Sequence, residues 1–166
     1  IDMGSYMGYH SMIASCYCKN VYSYDINYEY TNLLKKNKEI NNIANIKIHR
    51  FGISNERRGI CEVYQHTVNQ SHWKVEPDVN NHQPYVRSSQ KVKTETMDHL
   101  YKGRRDKFCQ IVMKIDVNGC EPNVLLGSRK FISEYQPMII IPSTYRDLIP
   151  SNETTIVNDE YVLCKT

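Results

Sequence analysis

Long hydrophobic runs are missing from this chain: the longest purely apolar stretch, Met138 to Ile141, falls far short of the ~20 residues that a membrane helix needs. Net charge is nearly missing too. Lys and Arg number 21 against 18 Asp and Glu, leaving +3, too little and too scattered for an electrostatic footprint on nucleic acid or an anionic membrane. The expected partner is therefore a small molecule, with neither nucleic acid nor membrane involved. Glycine (7) and proline (6) are sparse, which excludes collagen-like and low-complexity chains. There is no internal repeat and no Gly/Ser or Pro-rich linker, so 166 residues are read as one domain, 1–166. Six cysteines include no C-x-x-C, and Cys16 and Cys18 stand too close for the usual bridge. Reduced thiols in a cytoplasmic compartment are expected. His66, His72 and His82 match no common zinc spacing, so no metal is expected. The chain opens on Ile1 and enters its first motif at once, which reads as a domain trimmed at both ends.

What is present is an alternation of short strands and helices. Ile1-Asp2 reads as a strand end, followed by a glycine-bearing turn and a helix through His10, Ile13, Ala14 and Tyr17; Val21 to Asp25 is the next strand. Tyr30, Leu33, Leu34, Asn37 and Ile40 recur at helical spacing, with Lys35, Lys36, Lys38 and Glu39 toward water. Strands follow at Ile46 to Phe51 and at Ile60 to Tyr64. Residues 65–90 are polar and aperiodic and read as a long loop or lid. Ile111 to Val117 is the strongest strand, apolar on both faces apart from Lys114 and Asp116, as a central parallel strand should be. Pro122 then opens a helix with Val124, Leu125, Ser128, Phe131, Ile132 and Tyr135 as its buried stripe. Pro137 to Ile141 is a further buried strand, and after it only Tyr161 to Cys164 reads as one.

This order predicts an α/β fold with a doubly wound, mostly parallel sheet, because parallel strands need crossovers and helices must cover both faces. Ligands of such sheets sit at the carboxyl ends of the strands. Gly4 to Gly8, Asp25, Gly52 and Asp116 thereby fall along one rim. An acid, Asp2, precedes two glycines four apart, Gly4 and Gly8, and leads into a helix; Asp25 follows where a carboxylate can accept ribose hydroxyls. A nicotinamide turn would read G-x-G-x-x-G, yet Ser5 and Tyr6 occupy the place where a second glycine lets a pyrophosphate approach. A cofactor without pyrophosphate suits the turn better, and S-adenosylmethionine is one.

These residues carry a resemblance to the FkbM-type methyltransferases, a class I, Rossmann-like, S-adenosylmethionine-dependent family. The matching stretches are Ile1 to Ser11, Val21 to Asp25 with Leu33 to Asn37, Val92 to Leu100, and Lys114-Ile115-Asp116-Val117-Asn118-Gly119-Cys120-Glu121 with Val124 to Gly127. The last is similar to the family's K-I-D-V-E-G-x-E and V-L-x-G, and Gln136 to Ile141 to its K-P-x-I-I-I strand. The resemblance implies methyl transfer from S-adenosylmethionine, typically to an oxygen of a small molecule or saccharide. It implies that Asp2, Gly4 and Gly8 hold the methionine part, Asp25 the ribose, and the strand end at Phe51-Gly52-Ile53 the adenine, with Ser5 and Tyr6 also cofactor-binding. It sets Asp116 close to the transferring methyl, with Asp116 or Glu121 as the base.

Asp116 also reads as a cap on the Asn118-Gly119 turn, and Glu121 as a helix-start acid. The chain departs from the family at Asp25, where a longer Glu is usual, at Asn118 for an acid, and at Pro142 for a Glu. Few residues follow Ser143 for a closing helix and strand pair. The alternative reading is an inactive methyltransferase-fold module that binds a ligand or partner.

Overall fold

Asn27 starts the second helix with its own side chain: its Oδ1 accepts from the amides of Glu29 (2.7 Å) and Tyr30 (3.2 Å), two of the donors a helix leaves unpaired at its beginning. Such local rules set most boundaries in this computed structural model, which describes residues 1–67, 73–75, 85–103, 110–149 and 153–166. The first half runs β1 (Asp2–Met3), α1 (Tyr9–Ser15), β2 (Val21–Asp25), α2 (Tyr28–Ile40), β3 (Ile46–Arg50) and β4 (Gly52–Ile53). Then come β5 (Arg58–His66), β6 (Trp73–Lys74), β7 (Tyr85–Glu95) and α3 (Met97–Leu100). The second half holds β8 (Val112–Ile115), α4 (Glu121–Leu126), α5 (Arg129–Tyr135), β9 (Met138–Pro142), a 3-10 helix (Ser143–Leu148), β10 (Glu153–Ile156) and β11 (Tyr161–Lys165).

Seven strands form the main sheet in the order β10-β11-β9-β8-β1-β2-β3. Neighbours from β9 through β3 are parallel, while β11 runs antiparallel to both β9 and β10. The strand order reverses direction at β1, flanked by β2 and β8, so a crevice opens there at the carboxyl ends. Met3, Met113, Ile115, Ile139, Ile141, Val124 and Phe131 are buried around these central strands and form the core.

Several expectations change. In α2, Thr31 and Leu34 are the buried residues, whereas Leu33 is partly exposed and Ile40 lies in solvent. The Thr31 hydroxyl donates back to the carbonyls of Asn27 and Tyr28, which lets the small residue face the sheet. The single helix expected after Pro122 is two, α4 and α5, broken at Gly127, where a Cβ would overlap the backbone carbonyl of Ser54. The span 65–90 is not wholly loop: its ends belong to β5 and β7, and β6 lies inside it. These strands form a second sheet, β4-β7-β5-β6, that the sequence did not announce. His72, His82, Arg104, Arg105, Lys107 and Cys109 lie outside the described residues. The closing strand pair is present after all, because a six-residue 3-10 helix stands where a full helix was expected and leaves room for β10.

Candidate functional site

The glycine turn is held from three sides. The amides of Gly4 and Ser5 both donate to the carbonyl of Tyr24 on β2 (3.0 and 3.1 Å), and Gly8 N donates to Ser5 O (2.8 Å). Asn37 of α2 donates its Nδ2 to Met7 O (3.1 Å). Gly4 (φ 75°) and Gly8 (φ 92°) both adopt the left-handed region that glycine tolerates best. A Cβ on Gly4 would also overlap the carbonyl oxygen of Asp116, so this turn sits directly on the end of β8. Tyr6 is left-handed as well (φ 51°), with its ring edge-on to Tyr30 at 4.3 Å.

Behind the turn lies a buried polar chain. Ser11 Oγ on α1 donates to Asp2 Oδ2 (2.5 Å) and is 2.7 Å from Ser23 Oγ on β2. Lys114 Nζ lies 3.3 Å from Asp2 Oδ1, 3.5 Å from Asp116 Oδ2, and 3.3 Å from the carbonyl of Gly4, to which it donates. The β1–β8 register sets Asp2 opposite Lys114, so an ion pair is built into the pairing of two central strands. One ammonium thus serves two carboxylates.

In front of the turn is a cavity of about 480 Å³. Gly4, Ser5, Tyr6, Asp25, Gly52 and Asp116 line it, joined by Lys114, Tyr161 and the apolar Phe51, Ile53 and Val75. Asp25 ends β2 with both oxygens engaged by backbone amides: Oδ2 accepts from Tyr6 (2.8 Å) and Oδ1 from Asn27 (2.9 Å). Burial pushes its carboxyl above the ordinary value, against the pull of those amides. Asp116 Oδ2 accepts the Tyr161 hydroxyl at 2.9 Å. Burial first, and the Asp116 charge second, push that phenol up to about 12.

Other expected residues fall elsewhere. Asp2 is buried behind the turn, where it holds Ser11 and Lys114 instead of facing the cavity. Gly8 lies outside the cavity wall, and a Cβ there would overlap the buried Leu34. Glu121 is 1 % exposed, and its Oε1 accepts from Val117 N (2.8 Å), so it closes the turn leading into α4. Its charge and hydrogen bond add to burial in raising the Tyr145 phenol. Gly52 lines the cavity at its apolar end, where a Cβ would press on Ile26, Thr94 and Val75.

The sequence reading missed Lys114, His10 and Tyr161 as site residues. Lys114 carried a signal, since it stands two positions before Asp116 on the same strand face. His10 lines the cavity from the start of α1. Tyr161 carried none, because only the antiparallel return of β11 brings it to the crevice. Among the described residues no three His, Cys, Asp or Glu cluster as metal ligands, and Cys16, Cys18, Cys61, Cys120 and Cys164 form no disulfide. No helix among the described residues is long and apolar enough to cross a membrane.

A glycine turn under a crevice at the carboxyl ends of β1, β2 and β8 defines an α/β protein with a mostly parallel sheet. The model of the methyltransferase FkbM domain matches residues 2–148, and the chain belongs to that family. The fold is similar to the crystal structure of methyltransferase FkbM from Methylobacillus flagellatus KT, with a TM-score of 0.62 and 14 % identity, covering 98 % of this chain and 42 % of that one. The chain therefore spans less than half of that protein's length. Comparison with curated proteins gives no significant match.

Proposed function

We propose that this chain is a class I, Rossmann-like methyltransferase domain that binds S-adenosylmethionine in the crevice and methylates a hydroxyl oxygen of a small molecule or saccharide. The observation that carries this reading is the paired carboxylates, Asp25 and Asp116, at the ends of β2 and β8 on either side of the glycine turn. The residues present fit the cofactor. Ser5 Oγ is buried in the cavity wall with no hydrogen-bond partner, an unused group that a ligand can satisfy. Asp25 keeps lone pairs beyond those its backbone amides occupy, so it can accept ribose hydroxyls. Ile26, Phe51, Gly52, Ile53 and Val75 supply an apolar slot for adenine.

Charge supports the same reading. Among the described residues, the cavity wall carries Asp25 and Asp116 against Lys114, and Lys114 is shared with Asp2. A ligand bearing positive charge gains there, whereas a pyrophosphate would meet carboxylates and the Tyr6 ring.

Bound S-adenosylmethionine supplies an electrophilic methyl carbon on a sulfonium. The chain's own task is to align an acceptor oxygen and keep water out, which is where methyl transfer gains most. Of the two carboxylates read as bases, Asp116 reaches the crevice and Glu121 does not. Tyr9, His10, Asn118 and Cys120 give the same cavity a polar rim without a described Arg, which suits a neutral hydroxyl compound. The test is calorimetry with S-adenosylmethionine and S-adenosylhomocysteine, followed by methyl-transfer assays over a panel of sugars and alcohols. Micromolar binding lost in Asp25→Ala supports the reading; no binding of either compound, or binding of NAD(H) in their place, ends it.

A further inference from the structure

We propose that Tyr161 is a positioning residue of the crevice, whose hydroxyl fixes the Asp116 carboxylate so that it receives the cationic methionine end of the bound nucleoside. This rests on the S-adenosylmethionine reading and extends it to a residue outside 2–148, the stretch that the family match covers.

Asp2, Lys114 and Asp116 form one cluster with two carboxylates and one ammonium, a formal charge of −1. Asp2 is sealed behind the glycine turn, with Ser11 on its second oxygen, so its charge cannot turn to a ligand. Asp116 is different: its side chain keeps a third of its surface exposed and lines the cavity. The uncompensated charge of the cluster therefore has one outlet, toward the crevice.

An aspartate with an exposed edge has several rotamers, and Lys114 alone, at 3.5 Å and shared, fixes it loosely. Tyr161 supplies the directional bond, at 2.9 Å to Oδ2. Its phenol, pushed up to about 12, stays protonated at neutral pH, so it donates and adds no charge of its own. Tyr161 is anchored by β11, whose backbone pairs with β9 from Tyr161↔Pro142 to Lys165↔Met138. The remaining acids nearby are Glu160, beside Tyr161 in the chain, and Glu121 of α4, which is turned to the Val117 amide. The nucleoside end has a separate anchor in Asp25, on the other side of the turn. The two ends of a ligand should then respond to different substitutions.

The test is calorimetry on the full chain with three probes: S-adenosylmethionine, S-adenosylhomocysteine, and 5′-methylthioadenosine, which keeps the nucleoside and lacks the amino-acid ammonium. Tyr161→Phe removes one hydroxyl. It is expected to weaken the two amino-acid-bearing probes by about tenfold and to leave 5′-methylthioadenosine within about twofold. Asp116→Asn should do the same more strongly, and Tyr161→Phe made on top of it should add less than about twofold, because the two residues act as one unit. Asp25→Ala should weaken all three probes. If Tyr161→Phe weakens all three alike, its role is structural and the proposal is wrong; it is equally wrong if none changes while Asp25→Ala acts. If the unaltered chain binds none of the probes, the cofactor reading falls and takes this inference with it.

Discussion

Two carboxylates stand on either side of the glycine turn, and they are held by opposite means. Asp25 is gripped by backbone: the amides of Tyr6 and Asn27 donate to its two oxygens. Asp116 is gripped by side chains, the Lys114 ammonium and the Tyr161 phenol. Backbone donors come with the chain trace and do not titrate, so the first grip is as stable as the turn itself. The side-chain donors, Lys114 from β8 and Tyr161 from the returning β11, can each be removed by itself. The Asp25 side of the crevice is therefore part of the fold, while the Asp116 side is an assembly laid upon it.

The sharpest way to break this comparison is Gly4→Ala, since Gly4 belongs to both halves. Its φ of 75° is one that alanine resists, and the added methyl would overlap the Asp116 carbonyl. An unfolding free-energy loss of about 4 kcal/mol or more is expected, read as a collapsed urea midpoint or no folded protein.

Next in size is Lys114→Ala. Removing one partner of a buried ion pair strands the other, which costs about 3–5 kcal/mol. Here the stranded group is Asp2, only 4 % exposed. Adding Asp2→Asn to Lys114→Ala should recover most of the loss in urea denaturation. If the double variant is as unstable as the single, the cost lay in packing and the charge argument is mistaken.

How much of this was legible beforehand follows from the range of the forces involved. The β1–turn–α1 unit and β2 were readable because glycine spacing and alternating apolar residues are local signals, and Asp2, Gly4 and Asp25 all took their expected places in the chain trace. Where each side chain pointed was not readable. Asp2 and Gly8 stand in the motif, yet the pairing of β1 with β8 turns Asp2 toward Lys114, and α2 covers Gly8 with Leu34. Glu121 looks like a base in one dimension and serves as a backbone acceptor in three. A strand at Ile60 to Tyr64 was readable, but the second sheet was not, because its partners β6 and β7 fall wholly or partly within 65–90, whose polar, aperiodic sequence reads as loop. Val75, from that sheet's neighbourhood, nevertheless lines the cavity.

A smaller effect separates the two carboxylates by pH. Asp25 is raised above its unfolded value of 3.8, so the folded chain holds that proton more tightly than the unfolded one. Its contribution to stability is then fullest below the unfolded pKa and declines as pH climbs through the folded one. Asp25→Asn removes the titration. The stability of the unaltered chain relative to this variant should therefore be greater at pH 4 than at pH 7, measured by urea midpoints. A difference that grows with pH would mean that the two backbone amides outweigh burial. Ribose hydroxyls donated to the ionised carboxylate act in the same direction as those amides, so nucleoside affinity should weaken as Asp25 takes up its proton.

The finest discrimination is at Asn27, which touches the backbone grip directly. Its amide holds Asp25, its Oδ1 caps α2, and its Nδ2 is buried with no hydrogen-bond partner. Asn27→Ala should cost about 1 kcal/mol from the lost cap. Asn27→Ser keeps a capping oxygen and discards the unsatisfied amide, so it should fall within about 0.5 kcal/mol of the original. Asn27→Asp also caps well, but it sets a second carboxylate beside one already strained by burial, and like charges this close disfavour ionisation of both. It should match the serine variant at pH 4 and fall below it at pH 7. That crossing, followed by urea midpoints at the two pH values, isolates charge from capping at one position. If the aspartate and serine variants track each other across the range, Asp25 is better solvated than its burial implies, and the backbone grip alone defines the Asp25 side of the crevice.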